Sequence, residues 1–408
     1  MKYSVCAIAN ENNQILMMKY TYIFGLLLLS RILFSQTQYI VQPNTADPSS
    51  GSPNSNHFIY TNQTITPKNK LFLFLPGTYA VPYNYREILK HAANLGYHSI
   101  GLTYPNSLMI NSICSLSQDT TCHSRARLEV FDGIDRHIDI SVDTNNCIER
   151  RTLKLLQYLH SNYPFQNWEQ YFSGNQINWN KIIVSEHSQG GGHAGIISKI
   201  KQVERVAMFA AMDWITLLNR NADWITWNGL TAADKYYGFI HEDDELIDFT
   251  NIQITWDNYG MNNFGNLVLV DTSSSPYNNS HKLFTSETPA NDSSKFHGCI
   301  VADAYTPMDM GDPVFASVWT YMIEGNPALS MDGNTNFKNI KFYPNPVSSI
   351  LNITSSYCNN YNYSILNLQG QKVTSGRTKN GTINFSNLNQ GIYLLRMQNG
   401  YLSKIIKE

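Results

Sequence analysis

The chain has 408 residues, 42% of them hydrophobic and 15% charged. At roughly 100–200 residues per domain that is too long for one ordinary module, and it carries too much core material for wholesale disorder, collagen or a coiled coil. Lys and Arg number 29 against 31 Asp and Glu, a formal charge of −2, so no basic surface argues for nucleic acid as a partner.

Met18 and Lys19 open a basic stretch, and an apolar run from Tyr22 to Leu29 ends near Phe34, Ser35 and Gln36. This is the pattern of a secretory signal peptide over residues 1–36. Glu11 and several Asn ahead of it do not suit a leader, so the true start is expected at Met17 or Met18. Arg31 interrupts the apolar run, which falls short of the roughly 20 residues that a membrane span needs, and no other stretch replaces it. Once the leader is removed no transmembrane segment is expected. Export also gives the cysteines an oxidising compartment. Cys114 and Cys122 bracket a short polar loop and are the expected disulfide, while the pairing of Cys147, Cys299 and Cys358 is not readable. No Cys or His spacing suggests zinc.

Residues 41–69, rich in Pro, Ser, Asn and Thr, read as irregular, with room for a β-hairpin at their end. Leu71-Phe-Leu-Phe-Leu75, stopped by Pro76 and Gly77, is a continuous apolar run, as expected of a strand buried on both faces. Tyr85, Ile88, Leu89, Ala92 and Leu95 keep helical spacing before Gly96, and residues 99–103 read as the next strand. The alternation continues with a helix at 148–159, a strand at 182–184 and part of a helix at 195–200. Strands at 206–210, 236–240 and 267–270 follow. Strands alternating with helices predict a mostly parallel sheet covered on both faces. Residues 106–146 and the Trp-rich 214–228 interrupt the rhythm and are candidate insertions over a site. After about residue 327 short apolar and polar runs alternate between Gly and Asn turns, which predicts an all-β unit.

Val184-Ser-Glu-His-Ser-Gln-Gly190 sets Ser188 between a strand and a helix, in a near-match to G-x-S-x-G. A nucleophile on so sharp a turn needs small neighbours where strand and helix pack, and Gly190, Gly191 and Gly192 meet that need downstream. Upstream, Glu186 stands in place of the usual glycine. With this context residues 70–325 resemble the α/β-hydrolase superfamily of serine esterases and lipases, and the hydrolase domain is expected over 37–327. The resemblance implies an α/β-hydrolase fold with a mostly parallel sheet and the chain order Ser, acid, His.

A serine hydroxyl needs an imidazole to take its proton and a carboxylate to hold that imidazole. After Val270 the hydrolase region has two histidines. His297, ahead of an apolar stretch suited to a final helix, is the expected base, and His281 is the alternative. His187 adjoins Ser188 too closely to serve as base and reads as a packing or hydrogen-bonding residue. Relatives with H-x-x-D after the strand at 236–240 select Asp244 within His241-Glu-Asp-Asp-Glu-Leu-Ile247, with Asp243 second and Asp213 third. Four adjacent carboxylates would be costly if all were buried. The oxyanion hole needs two backbone N–H groups. One is expected from Gln189 and the other from Thr78 or Tyr79 in Pro76-Gly-Thr-Tyr79, where Gly77 permits close approach. No metal or organic cofactor is required, and no EF-hand spacing supports calcium at Glu242, Asp243, Asp303, Asp309 or Asp312.

Phe342-Tyr-Pro-Asn-Pro-Val347, Gly370, Gly391-Ile-Tyr393 and Lys404-Ile-Ile-Lys407 resemble the C-terminal sorting domain of the type IX secretion system. The resemblance implies a small β-sandwich at 338–408 behind a linker at 328–337. It also implies the secretion machinery as partner, and a secreted or cell-surface protein exported through the periplasm. The expectation is a serine hydrolase acting on a small-molecule or polymer ester. A peptidase or other acyl-transfer enzyme on the same triad, or a non-catalytic surface-binding protein, are the alternatives.

Overall fold

The computed structural model describes residues 36–325, 341–354, 362–368, 371–397 and 402–408. The expected leader up to residue 35, its start site and the linker at 328–337 lie outside these residues, as does Cys358. The central sheet has nine strands: β1 (Thr37–Val41), β2 (His57–Thr61), β3 (Leu71–Leu75), β4 (His98–Gly101), β5 (Ile182–His187), β6 (Arg205–Phe209), β7 (Tyr236–His241), β8 (Val268–Leu269) and β9 (Lys282–Thr285). Their spatial order is β1-β2-β4-β3-β5-β6-β7-β9-β8. The strands from β4 to β8 in that order pair in parallel, and β2 runs antiparallel to both of its neighbours. This is an α/β-hydrolase architecture.

β3 and β5 occupy the middle of the sheet, and every residue of both is buried. That is why the β3 sequence reads as an unbroken apolar run rather than an alternating one, whereas β5 adds the buried polar residues Ser185, Glu186 and His187 after Ile182-Ile-Val184. β2 falls within residues 41–69, read as irregular with room for a hairpin, whereas β1 precedes that stretch but for Val41 and had no reading of its own. β9, absent from the sequence reading, inserts between β7 and the two-residue β8. Four residues, Lys282-Leu-Phe-Thr285, are too few to show a period, so only their neighbours make them a strand.

Helices α1 (Arg86–Asn94), α2 (Ile110–Cys114), α3 (Cys122–Asp132), α4 (Ile148–Asn162), α5 (Gln189–Ile200), α6 (Phe249–Asn258), α7 (Phe296–Cys299) and α8 (Ala316–Glu324) complete the unit. α1 buries Ile88, Leu89, Ala92 and Ala93. Its first-turn amides at Arg86 and Glu87 donate to the Asp303 carboxylate at 3.0 and 3.1 Å, which suits an anion at a helix N-terminus. The stretch 106–146 folds into α2 and α3, which the Cys114–Cys122 disulfide joins. Cys147 and Cys299 are free and buried. Trp214 and Trp224 are buried, so the Trp-rich stretch supplies core rather than an exposed stacking surface.

The C-terminal strands β10 (Lys341–Tyr343), β11 (Ile350–Thr354), β12 (Asn362–Leu366), β13 (Lys372–Arg377), β14 (Thr382–Asn384), β15 (Gly391–Met397) and β16 (Leu402–Lys407) form two antiparallel sheets, β10-β11-β14 and β13-β12-β15-β16. Val347, Leu351, Ile365, Ile383, Phe385, Leu395, Met397 and Ile405 form a core of their own. Among the described residues no helix is long and apolar enough to cross a membrane.

α5 begins at Gln189, six residues ahead of the sequence reading, because glycines lower helix propensity but allow the close packing found here. A Cβ on Gly190 would run into the Leu75 carbonyl oxygen, with Pro76 O at 3.1 Å. Gly190→Ala is expected to cost about 1–3 kcal/mol in urea unfolding through overpacking. A variant as stable as wild type would disprove this close contact.

Candidate active site

Ser188 lies between the end of β5 and the start of α5, with φ 58° and ψ −116°. A serine gains nothing from such a backbone, which costs of order 1–3 kcal/mol and persists only where its surroundings impose it. Here they do. The Ser188 amide donates to Phe209 O at 2.9 Å, continuing the β5–β6 ladder, and Ser188 O accepts the Gly191 amide at 3.0 Å. The residue is partly exposed while its neighbours are buried, so the hydroxyl is presented at the carboxyl end of the sheet.

His297, on α7, is buried and meets both oxygens of Asp244 through Nδ1, at 3.0 and 2.9 Å. A carboxylate can only accept, so Nδ1 carries the proton and Nε2 presents a lone pair. That Nε2 is buried with no hydrogen-bond partner among the described residues. The Asp244 side chain is fully buried. It is aimed by the amides of Leu246 and Ile247, each donating to Oδ1 at 2.9 Å. Glu242, Asp243 and Glu245 are exposed, which resolves the problem of four adjacent carboxylates: one is buried and three are solvated. Glu245 was missed by sequence reasoning. Its Oε2 accepts the His297 amide at 2.8 Å and holds the loop that carries the imidazole.

The alternatives go elsewhere. Asp243 gives its amide to His241 Nδ1 at 2.9 Å. His281 is stacked between Tyr237 and Phe264 at the start of β9, with ring centroids 3.9 and 4.7 Å away. Asp213 is held by Arg127, with Nε to Oδ2 at 3.0 Å and Nη2 to Oδ1 at 2.5 Å, and it accepts Trp224 Nε1 at 2.9 Å. Burial would raise the Asp213 pKa, but the Arg127 charge and these bonds outweigh it and hold it at about 2. Arg127 also donates to Gln189 O at 2.5 Å, so the ion pair braces the first turn of α5 from beneath.

The loop after β3 approaches the elbow closely. A Cβ on Gly77 would lie 3.2 Å from His187 O and 3.3 Å from Ser188 Cβ. Tyr104 donates to Pro76 O at 2.7 Å, and Asn106 Nδ2 donates to Gly77 O and Ala80 O at 2.6 and 2.8 Å. The Tyr79 amide is taken by Asn106 O at 3.2 Å, whereas the amides of Thr78 and Gln189 donate to no group of the described protein. Of the two candidates in this loop, Thr78 is the one left with a free N–H.

Glu186 is fully buried against Gly191 and Ala211, and neither carboxyl oxygen has a hydrogen-bond partner among the described residues. Burial, outweighing the attraction of Arg127, raises its pKa well above the ordinary carboxyl value. Burial thus favours the protonated form of this group, which fills space beneath the turn. Cys114, Cys122 and His137 bring three potential metal-ligand atoms within 4.8 Å, but both sulfurs belong to the disulfide.

Residues 341–408 match the family model of the secretion system C-terminal sorting domain. The C-terminal unit is a sorting domain. The protein is accordingly secreted or displayed at the cell surface, and its sorting domain engages the secretion machinery. Among solved structures the chain is similar to MGS-M1, an alpha/beta hydrolase enzyme from a Medee basin deep-sea metagenome library. The identity is 13%, the TM-score is 0.33, and the likeness covers 62% of this chain and 82% of that one. No curated protein matches the chain.

Removing the guanidinium in Arg127→Met leaves the Asp213 carboxylate buried and unpaired. About 3–5 kcal/mol of stability should be lost in urea unfolding, with part of the loss recovered in Arg127→Met/Asp213→Leu. Glu186 should act in the opposite sense. Below its ordinary pKa of 4.5 the folded and unfolded chains both hold the proton, and the group costs nothing. Above that value the unfolded chain ionises first, and stability falls as pH rises towards the raised folded pKa. Glu186→Gln, which cannot ionise, should be more stable than wild type near pH 8 and equal to it near pH 4. The check is a pair of melting curves at each pH.

Proposed function

We propose that the protein is an exported serine hydrolase, acting on carboxylic esters through an acyl-enzyme. The reading rests on one observation above others: a strained, partly exposed Ser188 shares the sheet's carboxyl end with an imidazole whose Nδ1 is held by Asp244 and whose Nε2 has no partner among the described residues. In this reading Ser188 Oγ attacks the ester carbonyl while His297 Nε2 takes its proton, and the Asp244 carboxylate stabilises the resulting imidazolium. The Gln189 and Thr78 amides receive the negative charge that develops on the carbonyl oxygen. His297 then gives its proton to the departing alkoxide. A water, deprotonated by the same imidazole, cleaves the acyl-enzyme and releases the acid.

The surroundings suit an ester. Tyr79, Leu108 and Met109 expose large apolar side chains on the loops tied to the elbow, and residues 104–118 carry no charge. An uncharged acyl or alkoxy group meets little desolvation cost on such a surface. Glu186, buried and turned towards Gly191, does not hydrogen-bond to Ser188, so the departure from G-x-S-x-G leaves the nucleophile accessible.

Purified protein should react with a fluorophosphonate and turn over p-nitrophenyl acetate. Ser188→Ala should abolish labelling, and Asp244→Asn should slow turnover by at least about 10³-fold. A folded wild type that neither labels nor turns over would end the serine-hydrolase reading.

A further inference from the structure

His187 makes two hydrogen bonds from its ring, and their polarity is determined. Nε2 lies 2.9 Å from the His297 carbonyl oxygen, which can only accept, so Nε2 bears the proton. Nδ1 must then accept, and the Tyr85 hydroxyl 2.9 Å away is its donor. The Tyr85 oxygen in turn faces the Gly77 amide at 3.4 Å. All these side chains are buried. A continuous chain results, from Gly77 N–H through Tyr85 O–H to His187 and on to the main chain of His297. It joins the loop after β3, the approach to α1, the last residue of β5 and α7.

We propose that His187, oriented by Tyr85, is a positioning residue that sets the distance of the His297 imidazole from Ser188 while holding the Gly77–Thr78 loop in register. This deepens the serine-hydrolase reading and rests on it. His187 is covalently joined to the nucleophile and hydrogen-bonded to the backbone of the base, so the separation of the two reacting groups is referred to one rigid ring. The ring centroids of His187 and His297 are 4.6 Å apart, and packing reinforces the bond. Burial, aided by the neighbouring His297, lowers the His187 pKa to about 3, so its donor pattern does not switch in the working pH range.

A displacement of about 1 Å at a reacting group can cost 10²-fold in rate. In the full chain, His187→Phe should therefore lower kcat for p-nitrophenyl acetate by about 10- to 100-fold with KM little changed. Fluorophosphonate labelling should slow in parallel. His187→Gln, whose side-chain amide can still donate to the His297 carbonyl, should recover most of the rate. Tyr85→Phe removes one oxygen, preserves the packing and should lower kcat in the same sense, which keeps the test open if His187→Phe fails to fold. Equal losses in the Gln and Phe variants would mean packing alone and would overturn the proposal. So would a Tyr85→Phe enzyme with wild-type kcat, or a loss confined to KM. Each of these results presupposes an active wild type, whereas an inert and unlabelled wild type overturns the underlying hydrolase reading instead.

Discussion

The close approach of α5 to β3 is the constraint on which the rest depends. With Gly190 against the Leu75 carbonyl, the chain must reverse within one residue of the end of β5, and Ser188 takes a left-handed backbone to do so. A turn this tight exposes the hydroxyl and aims the first amide of α5 to the same side. It also leaves the underside of the helix without side chains at Gly191 and Gly192. Glu186 occupies the first gap and Arg127 the second. The usual small residue at 186 is therefore dispensable here, because the carboxyl fills the space that the downstream glycines create.

Three carboxyl groups lie buried near one another in sequence or space, and each has different surroundings. Asp213 is ionised because Arg127 compensates for its burial. Glu186 is pushed towards its protonated form, because its burial outweighs the attraction of Arg127. Asp244 has two backbone amides and an imidazole as partners, which are the partners a carboxylate needs in order to orient a base. The Asp213–Arg127 pair thus lies under the helix, and Asp244 lies apart from it at the loop after β7.

Much of this was legible in the chain. The both-faces-buried run of β3, the short apolar strand that opens β5, the helical stripes of α1 and α4, and Ser188 between a strand and three glycines are local patterns, and local stereochemistry writes them directly. β1 and β9 were not legible as sheet and β2 only as a possible hairpin strand, because such short strands owe their state to partners distant in sequence. The all-β character of the C-terminal unit was readable from its turns and alternation, and its two sheets were implied by the resemblance to the sorting domain.

By itself the sequence determined the type and order of the main elements, the serine on the turn and a short set of carboxylates and histidines from which a triad could be drawn. Which carboxylate faces His297 was decided only in three dimensions. Asp213 is withdrawn by an arginine 86 positions away, and Asp244 is presented by its own turn. Among the described residues Thr78 rather than Tyr79 keeps a free amide, because Asn106, from the loop after β4, takes the other. His187 gained its two partners in the same way, from α7 and from the approach to α1. Propensity and period act over a few residues and survive in any fragment, whereas the pairing of buried polar groups follows from where distant segments meet.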